Sequence, residues 1–121
     1  MLTYSAGVCA FTAYSYERVL EWLDALGYDR SPEDLALVGE RTWNLIRLFN
    51  LREGFARDGD SLPDRLTVPL ERGGPADGNR LTRADLAEML DEYYDIRGWT
   101  ADGTPTPETL ARLDLTEFAP S

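Results

Sequence analysis

Apolar residues recur at intervals of three and four in four segments of the chain, a spacing that places side chains on one face of an α-helix. The first segment begins after Ser15, which suits an N-cap position, and ends at Gly27, a typical helix stop. Its apolar face consists of Val19, Leu20, Leu23 and Leu26. We therefore predict a helix between Ser15 and Gly27.

The second segment, residues 31–54, is apolar on two faces. Ser31 supplies an N-cap, Pro32 suits the first helical position, and Gly54 marks the end. One stripe consists of Leu35, Val38, Thr42, Leu45, Ile46 and Phe49, and the other of Leu37, Trp43, Leu48 and Leu51. Because a helix with two apolar faces normally has packing partners on both sides, we predict that this helix is central.

Two shorter helices are predicted in the last third of the chain. Thr82 and Asp85 resemble a capping box, and Gly98 ends an apolar stripe made of Leu86, Met89, Leu90, Tyr93 and Tyr94. After a turn at Asp102-Gly103, Thr106 and Pro107 begin a short helix that carries Leu110 and Leu113. Residues 57–80, with three prolines and four glycines, are predicted to be loop, lying over a surface outside this chain. The prediction is one all-α domain over residues 1–121, with about four helices and a long central loop.

Composition narrows the range of functions. A net charge of −10 makes nucleic acid a poor partner. All 12 basic residues are arginine, which indicates either a salt-rich cytoplasm or a GC-rich genome. A single cysteine, Cys9, excludes an internal disulfide framework and suits a reducing cytoplasm. We predict neither a signal peptide nor a membrane span, because no charged start precedes an apolar run and no apolar stretch is long enough.

Acidic residues offer two candidate metal sites. Asp58-Gly59-Asp60 resembles the start of a calcium loop, but Leu62 and Pro63 stand where further ligands belong, so a solvated turn is favoured. A second set shares one face of a predicted helix and could bind a metal or transfer protons: Glu88, Glu92 and Asp95. The solvent-facing side of a helix is the favoured interpretation of that set.

Aromatic and basic residues also have two interpretations each. Tyr93, Tyr94 and Trp99 could stack a ring ligand, but core packing is favoured. Ion pairs with the many carboxylates are favoured over an anion site for Arg41, Arg47, Arg52, Arg57 and Arg65. Conventional catalysis has few candidates, because the chain has no histidine or lysine and Cys9 therefore has no histidine to activate it.

Two long strings of the sequence resemble a known family. They are GERTWNLIRLFNLREGFARDGDSLPDRL (residues 39–66) and LDEYYDIRGWTADGTPTPETLARLDL (residues 90–115). Both strings, and their spacing, resemble the C-terminal third of the aldehyde ferredoxin oxidoreductase family. The likeness begins near residue 4 and runs almost to the end of the chain. It implies that family's largely helical C-terminal domain, in agreement with the helices predicted above.

The resemblance also implies a cofactor site near the start of the chain. Residues 4–9, YSAGVC, align with the family motif D-x-x-G-L-C, which contacts the pterin and supplies the fourth cysteine ligand of a [4Fe–4S] cluster. Cys9 would bind iron of that cluster, and Gly7 would let the backbone approach the pterin beside Ser5 and Val8. Tyr4 stands where the family has aspartate, which indicates either a divergent member or a shifted local alignment.

The function implied by the resemblance is oxidation of aldehydes to carboxylic acids, with tungstopterin (or its molybdenum counterpart) and a [4Fe–4S] cluster as cofactors and ferredoxin as electron acceptor. The family's other cluster ligands and its metal-binding domain lie upstream of the matched region, so we expect the isolated chain to be inactive and free of cofactor. Its partners would be those N-terminal domains and ferredoxin, with some self-association. Two alternatives stay open: a cofactor-free helical interaction module derived from such an enzyme, and a structural domain with a buried thiol.

Overall fold

A computed structural model describes residues 15–71 and 73–119 of the chain. These residues form four α-helices: α1 (Tyr16–Ala25), α2 (Pro32–Arg52), α3 (Arg83–Arg97) and α4 (Pro107–Arg112). Short 3₁₀ turns occur at Arg57–Gly59, Asp64–Leu66 and Thr116–Phe118. Over these residues the only extended pairing is an isolated bridge between Trp99 and Pro105. The predicted all-α class with about four helices is confirmed.

The helices begin where the sequence places their caps. Ser31 Oγ accepts a hydrogen bond from the Asp34 backbone N–H at 3.1 Å, and the Asp34 carboxylate accepts one from the Ser31 N–H at 2.9 Å. The bond from the Ser31 backbone is the main reason that the pKa of Asp34 lies below its ordinary value. Thr82 and Asp85 form the same reciprocal pair at the start of α3. Both boxes satisfy N–H groups that a helix start leaves without partners.

The hydrophobic core lies between α2 and the C-terminal segment. Its fully packed members are four leucines: Leu48, Leu110, Leu113 and Leu115. Leu37 and Leu45 of α2 pack against them from the same helix as Leu48. Helix α1 contacts α2 but contains no buried residue, so it lies at the periphery of this core.

The prediction that both apolar faces of α2 are covered is confirmed only in part. In the first predicted stripe, Leu35 is 5% exposed and Leu45 packs against the core, whereas Val38, Ile46 and Phe49 are 44%, 42% and 54% exposed. Met89 is likewise 56% exposed, although the sequence assigns it to the buried stripe of α3.

The predicted loop is confirmed over residues 57–71 and 73–80. Its two 3₁₀ turns are each three residues long. Beyond them, the Leu70 N–H donates to the Asn79 carbonyl at 3.0 Å, so the loop returns on itself before α3 begins. In the described part of the chain, no helix is both long and apolar enough to cross a membrane.

Candidate functional site

The four residues predicted from the family motif, Ser5, Gly7, Val8 and Cys9, lie outside the described residues. Their assignment therefore stays a prediction. Within residues 15–71 and 73–119, no group of three or more histidine, cysteine, aspartate or glutamate side chains could hold a metal ion. Glu88, Glu92 and Asp95 are exposed on α3, as the solvent-facing interpretation predicts.

A buried arginine joins α2 to the turn after α3. The side chain of Arg47 on α2 is 7% exposed, and its Nε donates to the Gly103 carbonyl at 2.7 Å. Its Nη1 lies 2.8 Å from Oδ2 of Asp60. The guanidinium also lies over the Trp99 ring, 5.0 Å from its centroid. A buried cation is tolerated because a carboxylate, a carbonyl and an aromatic face all contact it.

Asp60 differs from its predicted role. Rather than standing in a solvated turn, its side chain is 30% exposed and pairs with Arg47. It also accepts a short hydrogen bond from the hydroxyl of Tyr94. Burial, and then this bond, raise the pKa of Tyr94 to about 12. Tyr94 therefore keeps its proton near neutral pH.

The aromatic residues predicted to be core do pack together. Tyr94 is 2% exposed and Trp99 is 7% exposed. Tyr93 is half-buried and meets Trp99 edge-on, with ring centroids 5.7 Å apart. Trp99 Nε1 donates to Oδ1 of the fully buried Asn44 at 2.8 Å, which satisfies both polar groups.

Gly103 closes the cluster because no other residue fits there. Its φ of +80° is one that side chains rarely adopt. A Cβ at this position would lie 2.1 Å from Nη2 of Arg47 and 3.0 Å from Cζ of Tyr94. We call Arg47, Asp60, Tyr94, Trp99 and Gly103 the Arg47 cluster.

A cleft of about 400 Å³ is lined in part by the Arg47 cluster, through Arg47, Asp60, Tyr94 and Trp99. Residues 59–62 of the loop form another part of its wall, and α2 and α3 contribute Trp43, Ile46, Leu86, Leu90 and Tyr93. Trp43 Nε1 donates to the Tyr93 hydroxyl at 2.6 Å, so a hydrogen bond joins the sides of the cleft that α2 and α3 form. The lining thus combines apolar side chains with the charged pair of Arg47 and Asp60.

Of the other arginines for which ion pairs were predicted, Arg52 and Arg57 form them and Arg41 does not. Arg52 pairs with Glu53, and Nη1 of Arg57 lies 2.6 Å from Oδ1 of Asp91. Arg41 instead donates to the backbone carbonyl of Leu113 at 2.8 Å, which ties α2 to the end of α4.

The described geometry joins Arg47, Asp60 and Tyr94 in one hydrogen-bonded group. Arg47 contacts Asp60 and Gly103, and Tyr94, whose pKa is raised to about 12, donates its hydroxyl hydrogen to the same Asp60 carboxylate. The sequence analysis missed Asn44. The sequence pattern could have indicated its burial, because Asn44 shares a helical face with Leu37, Leu48 and Leu51. A buried amide on that face requires a hydrogen-bond partner.

The described residues thus form an all-α domain in which the Arg47 cluster joins α2, α3 and the turn that follows α3. The family model described as aldehyde ferredoxin oxidoreductase, domains 2 & 3, matches residues 1–115. The chain therefore belongs to the aldehyde ferredoxin oxidoreductase family.

Individual relatives agree with this family. A tungsten-containing aldehyde ferredoxin oxidoreductase of Pyrococcus furiosus is 44% identical over 121 residues, covering 94% of this chain and 19% of the relative. An aliphatic sulfonate oxidoreductase, WOR-like subunit, of the same organism is 32% identical, with 93% of this chain and 19% of the relative covered. The chain thus spans about a fifth of the length of these relatives.

A solved structure is also similar. It is the active-site complex BamBC of benzoyl coenzyme A reductase in complex with 1,5-dienoyl-CoA. The match has a TM-score of 0.59 and 33% identity, and covers 76% of this chain and 12% of that one. This helical arrangement therefore also occurs within a much larger redox protein.

Proposed function

We propose that this chain is the C-terminal part of a cytoplasmic tungsten (or molybdenum) pterin, [4Fe–4S] oxidoreductase that oxidises aldehydes to carboxylic acids and passes electrons to ferredoxin. The observation that carries the proposal is the 44% identity to a tungsten-containing aldehyde ferredoxin oxidoreductase over 94% of the chain. The relative named for an aliphatic sulfonate is more distant, at 32% identity, which favours aldehyde as the substrate class.

The chain can supply part of the ligands of a [4Fe–4S] cluster, but not all of them. A [4Fe–4S] cluster needs about four ligands, usually thiolates, and Cys9 is the single thiol here. Cys9 would supply one ligand, and Ser5, Gly7 and Val8 would lie beside the pterin. The absence of lysine and histidine from the chain is compatible with this role, since the cofactors supply the redox chemistry of aldehyde oxidation when bound.

The candidate ligand segment comes before α1 in the sequence, and α1 contacts α2. We expect the isolated chain to have no aldehyde-oxidising activity and to bind no tungsten, because it lacks the remaining ligands.

The decisive experiment is Cys9→Ala in the full-length protein that the gene encodes. Thiolate is the usual iron ligand, so we expect the reduced-state electron paramagnetic resonance signal of the [4Fe–4S] cluster to be lost or converted. Ferredoxin-linked turnover should fall far more than tungsten content, because the electron exit is cut while most metal ligands lie elsewhere.

The matched control is Leu113→Ala. Leu113 is fully buried in the core, so this change should cost about 2–5 kcal/mol of stability while the folded protein keeps its cluster signal. A Cys9→Ala protein with a full cluster signal and normal turnover would show that Cys9 is not the ligand. A full-length protein without any cluster would favour the cofactor-free interaction module instead.

A further inference from the structure

The loop between α2 and α3 exposes a group of apolar side chains where it returns on itself. The Leu70 N–H donates to the Asn79 carbonyl at 3.0 Å. Nearer to α3, the Leu81 N–H donates to the Leu66 carbonyl at 3.3 Å, so the two arms of the loop lie side by side. Leu66, Val68 and Leu70 on the first arm are 45%, 58% and 48% exposed. Grouped apolar side chains on a surface mark an interaction site more often than single ones do.

Two exposed arginines line the same groove as these apolar side chains. The groove has a volume of about 350 Å³, and Arg65 from the first arm and Arg80 from the second both contribute to its walls. The surface thus combines apolar contact area with two positive charges. We call Arg65, Leu66, Val68, Leu70 and Arg80 the Val68 patch.

The two arginines of the Val68 patch form no salt bridge with any of the described residues. The pKa of the nearby Asp85 is lowered chiefly by its hydrogen bonds with Thr82, and Arg80 makes the smallest contribution to that shift. A guanidinium group binds a carboxylate through two parallel hydrogen bonds when the carboxylate is free to approach it. Both arginines are therefore open to a carboxylate from outside the described residues.

Local charge indicates the kind of partner that the patch fits. Residues 64–83 contain four arginines and three acidic residues, which gives a net charge of +1 in a chain whose net charge is −10. Of the acids, Asp64 pairs with Arg83, and Asp77 accepts a hydrogen bond from the loop backbone. Complementary charge across an interface steers association and suppresses wrong partners. The patch therefore suits a surface that presents carboxylates around an apolar side chain.

We propose that the Val68 patch binds an acidic protein partner, whose carboxylates pair with Arg65 and Arg80 and whose apolar side chain enters the groove. A small anion would leave the three apolar side chains of the patch uncovered, so the occupant is a polypeptide surface. An anionic membrane fits less well, because an extended negative surface repels a chain with a net charge of −10. This inference is independent of the proposed function, since it rests only on the surface of the loop.

The test is fluorescence anisotropy with a labelled peptide, Glu-Glu-Leu-Phe-Glu-Glu, and the full-length protein that the gene encodes. We expect the double change Arg65→Glu with Arg80→Glu to weaken binding about tenfold or more, because each arginine loses a charge pair and gains a repulsion. The matched control is Arg18→Glu with Arg30→Glu, which alters net charge equally at two exposed arginines outside the patch. It should weaken binding about twofold or less, since exposed charges at a distance are screened by salt.

A second peptide, Glu-Glu-Gly-Ser-Glu-Glu, tests the apolar part of the patch. It has the same charge and no apolar side chain, so it should bind about tenfold more weakly than the first peptide. Val68→Ser should remove most of that difference between the two peptides. Circular dichroism checks that each variant keeps its helices, as expected for changes at exposed positions.

Four results would overturn the inference. One is equal weakening by the two double variants, which would indicate net charge alone. Another is binding of the first peptide to the 121-residue chain but not to the full-length protein, which would show that the remaining polypeptide covers the patch. A rise in sedimenting mass that Arg65→Glu with Arg80→Glu abolishes would assign the patch to a second copy. Binding to phosphatidylserine vesicles without binding to the peptide would assign it to a membrane.

Discussion

Asp60 connects parts of the chain that are distant in sequence, because its carboxylate contacts both Arg47 on α2 and Tyr94 on α3. Asp60→Asn removes the charge and leaves a guanidinium that is 7% exposed without its counterion. Breaking one partner of a buried pair costs about 3–5 kcal/mol, and the partial exposure of Asp60 reduces this to roughly 2–3 kcal/mol. Urea unfolding followed by circular dichroism measures the loss.

Asp64→Asn is the matched control for that change. Asp64 pairs with Arg83, but the two side chains are 84% and 72% exposed. An exposed pair contributes about 0–1 kcal/mol, so this variant should unfold almost as the parent does. Equal losses of unfolding free energy in the two variants would show that the buried pair of Arg47 and Asp60 stabilises the fold no more than an exposed pair does.

The raised pKa of Tyr94 predicts how the stability of the fold changes at high pH. Its pKa is raised to about 12 in the folded chain, above the ordinary value of 10.0 that applies when unfolded. The folded state therefore favours the protonated form, and the associated stability is fully present below about pH 10 and lost as pH rises towards 12. The loss amounts to roughly 2–3 kcal/mol. Unfolding measured between pH 9 and pH 11.5 should show a decline that is much smaller in Tyr94→Phe.

Residue roles were the hardest to predict from the sequence. The bond from Arg47 to Gly103 spans 56 positions and the bond from Trp99 to Asn44 spans 55. No local pattern encodes such a pairing, so Asp60 could only be assigned to a turn. Tyr94 and Trp99 were predicted as core from their spacing with Met89 and Leu90, and both are buried, although Met89 itself is 56% exposed.

At the scale of elements, the turn after α3 depends on Gly103. Gly103→Ala combines a positive φ with a Cβ that would overlap Nη2 of Arg47. We expect a loss of about 3 kcal/mol or more, because the guanidinium must leave its site. Gly78→Ala is the control, since Gly78 has a nearly equal φ of +79° but open space around its Cβ position. Backbone strain alone should cost that variant about 1 kcal/mol in the same unfolding assay.

Helix starts were predicted well because capping is local. Ser31 with Asp34 and Thr82 with Asp85 each act over three residues, so four letters of sequence contain the whole interaction. The environment of α2 was not predicted, because two apolar stripes require two partners without saying whether both belong to this chain. Phe49 is 54% exposed although it shares a predicted stripe with the buried Leu35, so the pattern did not distinguish the covered members from the exposed ones.

At the scale of the whole molecule, charge is the dominant feature. A net charge of −10 produces self-repulsion that salt screens, so the melting temperature should rise between low and molar potassium chloride. Neutralising Glu88, Glu92 and Asp95 together should weaken this dependence, because these exposed carboxylates repel one another on α3. A melting temperature that falls steadily with salt would contradict the prediction.

The habitat behind this charge stays a prediction. A salt-rich cytoplasm and a GC-rich genome both account for a chain with arginine and no lysine. The relatives come from hyperthermophiles, which gives the salt-rich interpretation no support. The salt dependence of stability is therefore a property of the surface, whichever environment produced it.

The Arg47 cluster also determines how the two halves of the chain are joined. Arg47 lies on α2 and Asp60 near the start of the long loop, whereas Tyr94, Trp99 and Gly103 follow the loop. Side-chain contacts within the Arg47 cluster therefore join the two parts of the chain directly, in addition to the loop that connects them covalently. The exposed stretch 73–80 is accordingly a place where the polypeptide can be lengthened or cut, or its ends rejoined in a new order, while the architecture persists.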